Sequence, residues 1–204
     1  MSVSDVDIAN AALIDLGYEA IQSFLDDSDE ARAMNAIYSL SRDRVLAAHP
    51  WNFATKRLSL AAAVVTLNTD EWDAAYLLPA DSLRVLYIEP KGTPFVVENG
   101  YILTNVSSPV KCSVIYRITD PAVFSVSYIS ALQYRLSAAL CTALTARRGN
   151  AQDYWRLYQS ELQEARTTDG QEGWEARNND SPIGFARING SNISAHQLTD
   201  GEWL

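Results

Sequence analysis

The hydrophobic period of this chain changes twice, and that change constrains the fold more than any other feature. Before Pro50 and after Pro121, apolar residues recur at three- and four-residue spacing, the signature of a helix with one buried face. Between them, residues 55–67 and 83–118 are rich in Val, Ile, Leu, Tyr and Thr. Pro79, Pro90, Gly92, Pro94, Gly100 and Pro109 break this middle part at the intervals of strands and turns. The expectation is an α+β fold: a mainly α-helical bundle with a small inserted antiparallel β-sheet at about residues 55–118, and an extended C-terminal arm. Residues 1–168 would form the helical domain and residues 169–204 the arm.

The first helix is expected over residues 5–16, where Val6, Ala9, Leu13 and Leu16 share a face. Ser4 with Asp7 three residues on suits a cap, and Gly17 suits a left-handed stop. A second helix should begin near Asp27 or Ser28, because Asp26, Asp27, Asp29 and Glu30 place negative charge at the positive end of its dipole. It should run to Ala48 and stop at His49-Pro50, since a residue before proline is driven out of the helical region. It carries two apolar rows, Ala33, Ile37 and Leu40, and Met34, Tyr38 and Val45, which suggests cover on two sides by other helices or by neighbouring subunits.

In the middle segment the clearest element is a hairpin: Phe95-Val96-Val97 and Tyr101-Ile102-Leu103 flank Glu98-Asn99-Gly100, and Asn-Gly suits the positive φ angles of a tight turn. Val114-Ile115-Tyr116 offers another strand. After Asp120-Pro121, Ile129, Leu132, Leu136, Ala139, Leu140 and Ala143 make a helical stripe expected to close at Gly149. Asn150 with Asp153 reads as the cap of a last helix reaching about Thr167, with Tyr154, Leu157, Tyr158, Leu162 and Ala165 on its apolar face. From Gly170 the chain turns Gly- and Asn-rich, yet Trp174, Ile183, Phe185, Ile188, Leu198 and Trp203 punctuate it. Such an arm either packs along its own domain or orders on a partner.

Charge and chemistry exclude several function classes. Sixteen Lys plus Arg against 25 Asp plus Glu give a net charge of −9, the wrong sign for gripping phosphate by bulk electrostatics, although an acidic wall suits a channel that passes DNA without holding it. Cys112 and Cys141 form no CxxC pair or Cys/His cluster, so neither a disulfide scaffold nor a zinc module is expected. Residues 1–20 carry acids in place of a basic and then apolar leader, and the apolar stretch 58–65 is far short of the roughly 20 residues that span a bilayer. A soluble intracellular product without a membrane partner is expected.

No Walker loop, GxGxxG, HExxH or GxSxG occurs, and no catalytic, cofactor or metal residue is assigned. His49 reads as a structural helix-end residue and His196 as an exposed one. Paired carboxylates about 5 to 10 Å apart would suffice for glycoside hydrolysis, and Asp26-Asp27-Asp29-Glu30 and Asp70-Glu71-Trp72-Asp73 supply candidates. A helix N-terminal acid run and a solvated turn explain the same clusters without chemistry. Arg42, Arg44, Lys56 and Arg57, interleaved with Trp51 and Phe53, suit either a nucleic-acid strand or ion pairs between subunits. The acidic balance favours the second, which makes Arg42, Arg44, Trp51 and Phe53 candidate inter-subunit residues.

The run Ile8-Ala9-Asn10-Ala11-Ala12-Leu13 with Leu16-Gly17, then Leu25-Asp26-Asp27-Ser28-Asp29-Glu30-Ala31, then Asp43-Arg44-Val45-Leu46-Ala47-Ala48-His49-Pro50-Trp51-Asn52-Phe53-Ala54, resembles the head-to-tail adaptor proteins of short-tailed bacteriophages, the tail tubular protein A family. Pro79-Ala80-Asp81-Ser82-Leu83-Arg84-Val85 and Asn99-Gly100-Tyr101-Ile102-Leu103-Thr104 are similar to further segments of that family, so the resemblance covers about residues 5–168. It implies a non-enzymatic virion protein of the tail or neck, assembled in the host cytoplasm. Members form a ring, typically of twelve copies, beneath the portal protein ring, extend the DNA channel and give the tail nozzle protein a platform. No cofactor is implied. Trp174, Phe185, Ile188, Leu198 and Trp203 of the arm then become candidate portal-docking residues. The alternative is a tail-associated glycan hydrolase using the paired carboxylates.

Overall fold

Helix α1 (Asp5–Asp15) opens with the Ser4 capping box: the Ser4 hydroxyl accepts from the Asp7 N–H while the Asp7 carboxylate accepts from the Ser4 N–H. Gly17 sits at φ +80° just past its end, where a side chain would be strained. The computed structural model describes residues 3–65, 71–145 and 148–178, with 142, 145, 148–150 and 169–178 described by backbone alone. Two compact units divide the chain, Met1–Ala165 and Arg166–Leu204.

Helix α2 (Asp29–Ala48) starts from Ser28, whose hydroxyl accepts from the Ala31 N–H, and ends at His49. Met34, Tyr38 and Val45 are buried, as one of its two apolar rows requires, while Leu40 of the other row stays 55% exposed. Helix α3 (Val126–Leu140) is capped by Ser125. Its stripe does not continue to Gly149 as one helix: a π turn occupies Cys141–Thr145, and Gly149 lies in the first turn of α4 (Arg148–Asn178). A helix that starts at Arg148 cannot be capped by Asn150. On α4, Tyr158, Leu162 and Ala165 of the expected apolar face are buried and Tyr154 is half-buried, while Leu157 lies at its edge, 44% exposed. These four helices and the aromatic cluster formed by Trp51, Phe53, Phe124 and Tyr128 build the main core of the first unit.

The expectation of an extended arm from residue 169 is corrected for its first part. The α4 backbone is helical to Asn178, through Gly170 and Gly173. Each glycine costs a helix only about 1 kcal/mol relative to alanine, and the intervening Gln, Glu, Ala and Arg are helix formers.

The single small sheet expected in the middle segment is two three-stranded antiparallel sheets. Strands β1 (Thr55–Leu60), β2 (Ala74–Leu77), β3 (Ser82–Ile88), β4 (Val96–Glu98), β5 (Tyr101–Thr104) and β6 (Val110–Tyr116) divide between them. One sheet has the order β1-β6-β3 and the other β2-β5-β4. The β4–β5 hairpin turns at Asn99 and Gly100, both at positive φ as their dipeptide demands.

Strand β6 explains why two sheets are needed. As the central strand it pairs Leu58 with Cys112 on one side and Ile88 with Cys112 on the other. Side chains alternate across a strand, so Val110, Cys112 and Val114 pack with Tyr76 and Ile102 of the second sheet, while Ile115 joins the helical core. The first sheet is thus a layer between the helices and the second sheet, and the chain is α+β rather than a helical bundle bearing one sheet. No described helix is long and apolar enough to cross a membrane.

Candidate functional site

The segment from His49 to Ala54 joins the helices to β1; His49, Trp51 and Ala54 are buried and Phe53 half-buried, while Pro50 and Asn52 are exposed. Trp51 is 1% exposed, stacks edge-on against His49 at 4.9 Å and Tyr128 at 5.2 Å, and donates its indole N–H to the Val45 carbonyl at 2.9 Å. That carbonyl belongs to the last turn of α2, where the helix itself offers no partner. Phe53 is half-buried between Phe124 and Tyr128.

Arg42 is also buried. It holds Asp43 at 3.1 Å, the other Asp43 oxygen accepts from Arg117 Nε at 2.8 Å, and Arg117 reaches on to Asp81 at 3.2 Å. The Asp43 hydrogen bond, with smaller help from Asp81, raises the Arg117 pKa. Of the candidate inter-subunit residues, Trp51 and Arg42 are therefore interior residues of one subunit, Phe53 is largely so, and Arg44 alone is on the surface. The alternation of cations and aromatics was misleading because Trp51 bonds back to the last turn of α2 and is covered by Tyr128. Trp174 lies in α4, described by backbone alone; Phe185, Ile188, Leu198, His196 and Trp203 lie outside the described residues.

Carboxylates of the first acid cluster are engaged locally, and the second cluster is tied by its main chain. Asp26 accepts from the Gln22 and Ser23 N–H groups, and Asp27 and Asp29 both pair with Arg32. The Asp73 N–H donates to Asn105, whose amide donates to the Glu71 carbonyl; Asp70 lies outside the described residues. Among the described residues no group of three or more His, Cys, Asp or Glu could hold a metal.

Two surface features went unnoticed in the sequence. The first is a groove of about 600 Å³ between α3 and α4, with Ala138, Ala139 and Ala151 as its apolar lining and Arg135, Trp155 and Arg156 as its polar and aromatic one. Arg135 lies 4.7 Å from the Trp155 ring centre, and its Nε is buried without a hydrogen-bond partner. Burial is the chief cause that lowers its pKa, and the charge of Arg44 acts in the same direction. The second is the α1–α2 loop, which raises Leu25 to 87% exposure amid Asp26, Asp27, Asp29 and Glu30.

That loop is firmly built. Asn10 clamps it by accepting from the Ile21 N–H at 2.8 Å and donating to the Ile21 carbonyl at 2.9 Å. Phe24 packs on Tyr38 at 5.1 Å, and the Leu25 N–H donates to the Ser23 hydroxyl. Glu19, Asp26, Asp27 and Glu30 also line an acidic recess of about 360 Å³. In the sequence, an arginine beside Leu132 and Leu136 on an apolar stripe, and a leucine beside an acid run, were the available signals. No known family model and no curated protein matches the chain.

Proposed function

We propose that this chain is a structural virion protein, a head-to-tail adaptor that forms a ring beneath a portal, extends its DNA channel and supports the tail nozzle. The observation that carries this reading is the set of large apolar side chains left exposed on the helices and the α1–α2 loop, Ile14, Leu25, Leu40, Val126, Trp155 and Leu157, on a strongly acidic chain. Exposed apolar residues on a firm helical frame suit subunits packed side by side. Net negative charge suits a conduit that must not retain DNA. Of the segments that resemble the adaptor family, Leu25 to Ala31 carries both features, as the exposed acidic loop and the start of α2, whereas His49 to Ala54 forms the joint to the strands.

The test is mass photometry of this protein mixed with the portal ring of the same virus. A discrete increase equal to a whole ring of subunits supports the adaptor reading and gives the copy number. No complex with a well-formed portal contradicts it. The glycan hydrolase alternative gains no specific support from the local engagement of the acid clusters.

A further inference from the structure

We propose that the α3–α4 groove of one copy receives the α1–α2 loop of the next, with Leu25 seated against Ala138, Ala139 and Ala151 and the loop carboxylates facing Arg135 and Arg156. The inference deepens the adaptor reading by naming the contact between subunits, and it rests on that reading for its setting.

Complementarity carries it. The chain is acidic overall, yet arginines line the groove: Arg135 has a buried Nε without an acceptor, Arg156 flanks it while paired at the surface with Asp153 at 3.0 Å, and Arg44 is close enough to act on Arg135. The loop offers the converse, one leucine exposed by 87% within the densest run of carboxylates in the chain, where Arg32 pairs with Asp27 and Asp29 at the surface and Asp26 holds the loop main chain. The buried Nε is out of reach of a neighbouring copy, but Arg135 lines the groove, so a carboxylate seated there would meet the guanidinium where it faces the groove, and such charge-assisted bonds are the stronger ones. Alanines on both helices leave room for an apolar side chain.

The order in the loop matters as much. Asn10, Asp26 and Ser23 hold its main chain and Phe24 anchors it on Tyr38, so docking requires little ordering of Leu25. Loop and groove are different surfaces of the same unit, so a contact made head-to-tail leaves one loop and one groove open, and its repetition gives a closed ring or an open chain. A reciprocal exchange of loop and groove would instead close as a two-fold dimer, which cross-links into dimers alone and not into a ladder. One loop in one groove buries less than the roughly 1,200–2,000 Å² of a standard stable interface. Free subunits therefore associate weakly, and a template that holds many copies side by side completes the ring.

The test is cross-linking by a short bismaleimide in Leu25→Cys/Gln159→Cys, since Gln159 borders the groove and the native Cys112 and Cys141 are buried. The expected result is an intermolecular ladder from the double variant and heterodimers only when Leu25→Cys and Gln159→Cys chains are mixed. Arg135→Glu in the double variant should cut the yield about tenfold, as a change of one decade in affinity would. If Arg135→Glu fails to fold by circular dichroism, Arg156→Glu at the exposed rim takes its place. No ladder, an equal ladder from Leu25→Cys/Val97→Cys, or Leu25→Cys homodimers as abundant as the heterodimers would overturn the proposal. A ladder without portal binding keeps the contact and removes the portal role. Ring assembly on the portal without cross-links removes the contact alone.

Discussion

The indole N–H of Trp51 donates to the Val45 carbonyl at 2.9 Å within the protein interior, so a residue three positions past the end of α2 satisfies a backbone group that the helix leaves open. Tyr128 adds a second tie to the same helix, its hydroxyl donating to the Arg42 carbonyl at 3.1 Å. Together they fix α3 and the joint to β1 against the C-terminal half of α2. The strand layer is positioned by this joint.

Trp51→Phe should therefore destabilise the protein by about 1–3 kcal/mol, chiefly because the Val45 carbonyl is left buried without its donor. Urea denaturation of both proteins measures the difference. A loss near zero would mean that the Val45 carbonyl finds another partner and that the tie has no structural weight.

Asp43 connects α2 to Arg117, just past β6, at 2.8 Å, with both side chains partly buried. Asp43→Ala and Arg117→Ala should each destabilise, and the double variant should lose less than their sum, with a coupling of about 1 kcal/mol. Strictly additive losses would show that Arg42 and Asp81 carry the network without this pair.

The Asp7 carboxyl, hydrogen-bonded first by the Ser4 hydroxyl and then by the Ser4 N–H, titrates below its ordinary value of 3.8. A carboxylate with a lowered folded pKa contributes stability above the unfolded value, and this contribution fades as pH falls through the folded one. Carbon-detected NMR titration should show the Asp7 pKa rising toward 3.8 in Ser4→Ala. An unchanged Asp7 titration in that variant would exclude the capping box as the cause.

Gly100 closes the β4–β5 hairpin at φ +79°, and nothing lies within 4 Å of where a Cβ would stand. The cost of Gly100→Ala is thus conformational, about 1 kcal/mol, and Gly100→Asn should cost less because asparagine tolerates the left-handed region. Thermal melts of the two variants rank them, and equal melting temperatures would rule out backbone strain as the source.

The elements that the sequence determined by itself are those set by neighbours a few residues away. The Ser4–Asp7 box, the Ser28 cap, the stop before Pro50 and the Asn99-Gly100 turn all follow from local hydrogen bonding and φ preference. The α+β class followed from the change of period, which side-chain alternation imposes residue by residue. Tertiary structure decided what covers each face. Whether an aromatic lies inside or outside depends on chain that arrives from far away. Tyr128 covers Trp51, and the pairing of Leu58 and Ile88 with Cys112 makes β6 a central strand buried on both sides. The same holds for the groove. Arg135 and Trp155 meet because they lie on two separate helices, α3 and α4, that come together in space, and Leu25 is exposed because none of the described residues packs over it. Local preference fixes where helices and strands begin and end, whereas burial is a property of the assembled surfaces and is decided by long-range packing.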